Sequence, residues 1–119
     1  MLDEQQRPGD QPAETTGGGA RLLCARCRHP ITTDDQRIAV NDQHEHFFVN
    51  PHGYDFHLGC FATAPGALGA GPSTAEWTWF SGYSWQLSHC RNCATHLGWL
   101  FRSPTHSFHG LVLDRLIGE

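Results

Sequence analysis

Lysine is absent from this sequence. All eight basic residues are arginines, set against twelve acidic ones, and the net charge is −4 with histidine neutral. A non-specific nucleic-acid binder needs a basic stripe to displace counterions, so this balance argues against that class of partner. Long apolar runs are missing too. Nothing approaches the roughly 20 residues of a membrane span, and no membrane partner is expected. The N-terminal MLDEQQRPGD lacks both a basic n-region and an apolar h-region, so no secretory signal is expected and the default location is cytoplasmic. Helical periodicity is hard to find. Short alternating segments broken by turn residues take its place, and they predict an all-β domain.

At 119 residues one domain is the limit. Residues 1–20 are polar, carry Pro8, Pro12 and the run Gly17-Gly18-Gly19, and hold no face to bury. A disordered tail is expected there, with the folded domain over 21–119. A domain of this size has little core to spare, and a structural metal would help it.

The cysteines supply the donors. Cys24-Ala25-Arg26-Cys27 and Cys90-Arg91-Asn92-Cys93 are two Cys-x-x-Cys knuckles far apart in the chain. Four thiolates in two such pairs allow a closed tetrahedral site, the structural type for Zn2+. The competing readings are a redox pair and disulfides. A redox Cys-x-x-Cys normally opens a helix after a strand, and no such helix is evident. The fifth cysteine, Cys60, reads as a small buried apolar residue. His44 and His46 share a strand face and could hold a metal, but no third ligand is evident. Hydrogen-bonded strand histidines are the expectation.

The aromatic residues are concentrated. Residues 77–99 contain all four tryptophans. Trp77 and Trp79 share a face if that segment is extended, as do Tyr83 and Trp85, and Trp99 and Phe101. If the second knuckle tips a hairpin, Trp85 falls opposite Trp99 and Tyr83 opposite Phe101 within one residue of register. Trp77 and Trp79 folding alongside would complete an aromatic box. Indole N–H groups need partners when buried, and a small domain has few to give, so a ligand cage is favoured over core filler.

Elsewhere Arg37–Val40, His44–Val49 and Tyr54–Leu58 read as strands. Residues 62–74 (ATAPGALGAGPST) read as a Gly/Pro/Ala loop. Residues 108–117 read as a strand that closes a sheet.

Four motifs carry a resemblance: C24-A-R-C27-R-H-P-I, H44-E-H with N50-P-x-G53-x-x-F56, W77-x-W79-F80-x-G-Y83-x-W85, and C90-x-x-C93-x-x-H96-L97-G98-W99. They resemble the CULT domain, the ligand-binding domain of the cereblon family, and in particular single-domain CULT proteins of bacteria. The resemblance covers about residues 21–117. It implies a β-tent, two antiparallel sheets pinned where they meet by one four-cysteine Zn2+ site. It also implies a cage of three tryptophans, Trp79, Trp85 and Trp99, that binds cyclic imides such as the glutarimide ring of thalidomide. The backbone of the Trp77-Thr78-Trp79 segment is implied to pair with the imide, with Asn50, Pro51 and Phe101 at the rim and Phe56 at the edge. Cyclic imide ends of damaged chains and uracil-type rings carry the same edge. No region for a ubiquitin-ligase adaptor is expected in a chain this short.

The chemistry agrees with that implication. A cyclic imide presents a planar C=O, N–H, C=O edge that a strand-like backbone matches, and indole faces exclude water from the polar pairs. Such rings would also suit a quaternary ammonium. Two other readings remain. A methionine sulfoxide reductase of the B type shares the fold, and Cys93-Ala94-Thr95-His96-Leu97-Gly98 looks like its second knuckle. It needs a late nucleophilic cysteine, however, and none follows Cys93. A peptide- or nucleic-acid-binding relative of the fold is opposed by the charge. No enzymatic activity is expected.

Overall fold

A computed structural model describes residues 19–119. Most of the expected tail, residues 1–18, therefore lies outside the described residues. Nine strands run in order: β1 (Arg21–Cys24), β2 (Pro30–Thr33), β3 (Glu45–Val49), β4 (Asp55–Phe61), β5 (Ala67–Thr74), β6 (Ser84–Cys90), β7 (His96–Arg102), β8 (Ser107–Val112) and β9 (Leu116–Gly118). Two short 3-10 turns, Asp34–Gln36 and Leu113–Arg115, are the only helical elements among the described residues. The domain is all-β, as expected.

The strands form two antiparallel sheets. The smaller has the order β2-β1-β9 and the larger β3-β4-β8-β7-β6-β5. Alternation along the strands splits the core in two. One cluster lies where the sheets meet and includes Cys24, Ile31, Phe61, Cys90, Leu97 and Leu111. The other lies on the opposite face of the large sheet and includes Leu58, Phe80, Trp99, Phe101 and Phe108, with Trp79 and Trp85 packed against it. Gly66, in the turn just before β5, shows how closely that turn approaches β2. Its N–H donates to the Ile31 carbonyl at 2.9 Å, and a Cβ at this position would lie 1.9 Å from the Pro30 carbonyl oxygen.

Four local expectations are corrected. Residues 67–74 form β5 rather than a loop: Ala67–Ala70 pair with Leu87–Cys90 through backbone groups, for which small side chains suffice, and a bulge follows before Thr74. Residues 75–83 form no strand. They are a loop in which Trp77 takes a left-handed φ of 62°, so Trp77 and Trp79 do not alternate on a strand. Arg37–Val40 makes only isolated bridges, Arg37 to Phe61 and Val40 to Gln43. The closing strand is two strands, β8 and β9, interrupted by the Leu113–Arg115 turn that carries the chain from one sheet to the other.

Candidate functional site

The first candidate is the cysteine cluster between the sheets. Cys24 ends β1 and Cys90 ends β6, and each is followed by the same tight turn. Arg28 N–H donates to the Cys24 carbonyl at 2.8 Å, and Ala94 N–H to the Cys90 carbonyl at 2.9 Å. Arg28 and Ala94 both adopt left-handed φ, 67° and 65°. The two knuckles thus have one conformation, and they face each other. Cys24 Sγ lies 3.7 Å from Cys93 Sγ, and Cys27 Sγ lies 3.6 Å from Cys90 Sγ. All four sulfurs lie within 4.8 Å of one another.

These distances test the fit of a metal. Disulfide sulfurs sit about 2.05 Å apart, so neither close pair is bonded. A tetrahedron with metal–sulfur bonds of about 2.3 Å has edges near 3.8 Å, close to both short distances. The donor set therefore fits one metal ion. The protein prepares thiolates unevenly. The Thr95 hydroxyl, 3.0 Å away, and the Thr95 backbone pull the Cys93 thiol down, while burial pushes the Cys90 thiol up. The Asn92 side chain is the main influence lowering Cys27.

The second candidate is an aromatic cavity of about 620 Å3 on the large sheet. It is lined by Asn50, Pro51, His52, Phe56, Trp77, Trp79, Trp85, Leu87, His96, Trp99 and Phe101. β4 supplies Phe56, β6 supplies Trp85 and Leu87, and β7 supplies His96, Trp99 and Phe101. Trp79 and Trp99 meet edge to face at 4.9 Å and 75°, forming a corner. Phe56 closes it, 5.0 Å from Trp99, and Phe48 stacks behind Trp79 at 4.8 Å. Trp99 is 8% exposed, whereas Trp77 is 68% exposed at the mouth.

Register departs from the expected pairing here. Trp85 lies opposite Phe101, and Leu87 opposite Trp99. Two steps cause this: His89 already pairs with His96 beside the knuckle, two residues from the pairing its tip implies, and an irregularity between Ser88 and His89 adds one more. Trp85 and Trp99 still share a face as diagonal neighbours. Tyr83, expected opposite Phe101, instead precedes β6 and hydrogen-bonds His106 at 2.8 Å.

The loop bearing Trp77 and Trp79 is held to the rest of the fold at two points. Phe80 is 1% exposed and packs edge to face on Phe48, Phe101 and Phe108. The Trp85 indole N–H donates to the Glu76 carbonyl at 2.7 Å. Thr78 does not line the cavity. Its hydroxyl donates to the Phe80 carbonyl at 3.3 Å and lies within reach of the Phe80 N–H. Among the described residues, the backbone N–H and C=O groups of Trp77 and Trp79 make no hydrogen bond. At the rim, the Asn50 side-chain carbonyl accepts from the His52 and Tyr54 N–H groups at 3.0 and 2.9 Å. Gly53 at φ 86° completes the turn.

Three lining residues, His52, Leu87 and His96, carry no site role in the motif reading. Leu87 follows from alternation with Trp85 once β6 is placed. His96 is informative. Its Nε2–H donates to the Gly98 carbonyl at 2.8 Å, and Arg115 donates to its Nδ1 at 3.2 Å and to its carbonyl at 2.9 Å. Both ring nitrogens are thereby occupied by a neutral imidazole, which stands edge to face on Trp99 at 5.0 Å. Burial first, then the Arg115 and His89 charges, hold its pKa below the usual histidine value. His109 is lowered as well, again mainly by burial.

A pH dependence follows. The unfolded chain takes up these protons near pH 6.5, but the folded chain does so only at lower pH. Stability is full above that value and falls as pH drops below it. Melting curves at several pH values in excess zinc should show this decline, and His109→Phe should flatten it. A pH-independent midpoint would contradict the assignment.

Two other expectations can be placed. His44 Nδ1 lies 3.1 Å from the Ile38 carbonyl and His46 Nε2 lies 3.0 Å from the Val40 carbonyl, as expected of hydrogen-bonded strand histidines. Cys60 is fully buried, and burial pushes its thiol up to about 12, which makes it a poor nucleophile. No helix among the described residues is long and apolar enough to cross a membrane.

Fold and site together define a class: a two-sheet β domain joined at a metal-fitting four-cysteine cluster, with an aromatic ligand-sized cavity on its larger sheet. The relatives are cereblons. The chain is 44% identical over 104 residues to "Protein cereblon" of Gallus gallus, a match covering 81% of this chain and 23% of that protein. It is 42% identical over 83 residues to that of Danio rerio (67% and 19%), and 33% identical over 74 residues to that of Drosophila melanogaster (60% and 13%). No family model matches. These similarities support a cereblon-like (CULT) domain in this chain, which spans less than a quarter of the length of the relatives named.

Proposed function

We propose that this domain binds cyclic imides in the aromatic cavity and does not itself catalyse a reaction. The observation that carries this reading is the pairing of apolar walls with an unused polar strip. Trp79, Trp99 and Phe56 enclose the inner corner. Beside them the backbone groups of Trp77 and Trp79 have no partner among the described residues. A ring with a C=O, N–H, C=O edge satisfies such groups while its aliphatic carbons rest on the indoles. In a water-excluded box those hydrogen bonds are stronger than in solvent. Trp85 is the third wall and Asn50 and Pro51 form the rim; Phe101, expected at the rim, is 1% exposed and would form the deep end instead, and Thr78 contributes only through the segment it joins.

Zn2+ held by Cys24, Cys27, Cys90 and Cys93 is the proposed structural metal. It would supply cross-linking of the two sheets and no chemistry at the cavity. A quaternary ammonium would suit the same walls by cation–π attraction, but it would leave the backbone strip unsatisfied. The activity of a full-length cereblon lies outside this proposal, because the chain matches only part of those proteins.

Competition separates the ligand classes. Glutarimide, succinimide and uridine should each displace a bound imide probe, while tetramethylammonium should not. Displacement by tetramethylammonium alone would reverse the reading.

A further inference from the structure

Arg115 touches both candidate sites. It ends the short turn that joins β8 to β9. Its backbone carbonyl accepts from the Ala25 N–H, inside the first cysteine knuckle, at 2.9 Å. Its side chain is half-buried and meets two residues of the cavity wall. One guanidinium nitrogen donates to His96 Nδ1 at 3.2 Å and to the His96 carbonyl at 2.9 Å, and the guanidinium carbon lies 5.9 Å from the Phe56 ring centre. His96 and Phe56 both stand edge to face on Trp99, at 89° and 82°. Arg115 itself is not a lining residue.

A guanidinium drawn partly out of water usually gains a carboxylate partner. Arg115 has none among the described residues, and its charge-assisted donors go to His96 instead. An apolar side chain could fill the same space, but only a donor fixes the imidazole. With Nδ1 accepting from Arg115, the ring proton is held on Nε2, which donates to the Gly98 carbonyl. We propose that Arg115 is a positioning residue for the cavity: braced on the first knuckle, it fixes the tautomer and tilt of His96 and thereby the orientation of the Trp99 wall. Its effect on affinity rests on the imide reading; its effect on the His96 ring does not.

The zinc-loaded chain is compared as wild type, Arg115→Met, Arg115→Lys, His96→Phe and the Arg115→Met/His96→Phe double variant. Methionine keeps an apolar stem and removes every donor. Nitrogen-15 NMR of the ligand-free protein reads the histidine rings, with the His96 signals identified by their loss in His96→Phe. Wild type should hold His96 as the Nε2–H form. Arg115→Met should release a mixture with the Nδ1–H form, and Arg115→Lys, which keeps a cationic donor, should largely restore the single form. Glutarimide affinity should fall about tenfold in Arg115→Met. In the His96→Phe background, which keeps a ring against Trp99 but removes the acceptor, the same substitution should weaken binding by less than about twofold. Arg115→Ala carries the same expectations if the methionine variant does not fold. A folded variant with unchanged His96 signals overturns the proposal with or without ligand. An equal loss of affinity in both backgrounds also overturns it, because Arg115 would then act other than through His96. If wild type binds no glutarimide, the imide reading fails, while the ring signals still decide whether Arg115 positions His96.

Discussion

Stripping the metal should unfold this domain. The cluster ties β1 to β6, and the two sheets otherwise meet through a modest core in which Phe61 is the one large side chain. A domain of this size has a net stability on the order of 5–15 kcal/mol. Structural zinc contributes about 10 kcal/mol or more in small metal-dependent folds. Even half of that, lost here, would lower the melting temperature by roughly 20 °C or more. A strong chelator should therefore abolish the cooperative melt, and stoichiometric Zn2+ should restore it. Cys24→Ser and Cys90→Ser should behave like the chelated protein, because both positions are buried and cannot recruit water as a substitute ligand. Either variant melting like wild type would refute a four-thiolate site. So would a chelator-treated sample that keeps its transition.

The second large effect concerns the inner corner. Trp79→Ala should weaken imide binding by about 30-fold or more, the scale of a hot-spot aromatic worth at least roughly 2 kcal/mol. Trp99 requires a gentler change. It is 8% exposed and touches Phe56, Trp79 and His96, so alanine there would open a cavity and destabilise the fold by about 3–5 kcal/mol. Trp99→Phe keeps most of the packing and should still weaken binding, since the smaller ring leaves a gap at the wall. Isothermal titration of folded, zinc-loaded variants measures both. An unchanged dissociation constant for Trp79→Ala would remove it from the wall.

The metal cluster is the part most legible from sequence. Four thiols at two short, repeated spacings can converge only if both knuckles turn back, and the matching left-handed residues Arg28 and Ala94 do that. The aromatic lining is legible for a similar reason, because indoles crowded into a short segment have few places to be buried. Register is not legible. The irregularity at Ser88/His89 shifts every partner beyond it, and nothing in the residue types there announces it. β5 hides because Ala67–Ala70 is held by backbone pairing, and Gly and Ala carry no strand signature. The Trp77–Trp79 segment misleads in the opposite direction. Its aromatic alternation imitates a strand, while Phe80 buried beneath it and the Glu76–Trp85 hydrogen bond hold it as a loop. His96 escapes notice because its role depends on Arg115, which arrives from the far end of the chain.

On the proposed reading, the cavity reads an imide edge through its backbone while its tryptophans hold the ring. Tryptophan fluorescence of the zinc-loaded protein, titrated with glutarimide and with N-methylglutarimide, tests both halves at once. Glutarimide should give saturable quenching, and the N-methyl compound, which lacks the donor but keeps the ring, should bind at least about tenfold more weakly. Equal affinities would show that the backbone strip is not read. No response to either compound from folded protein would contradict the imide site itself.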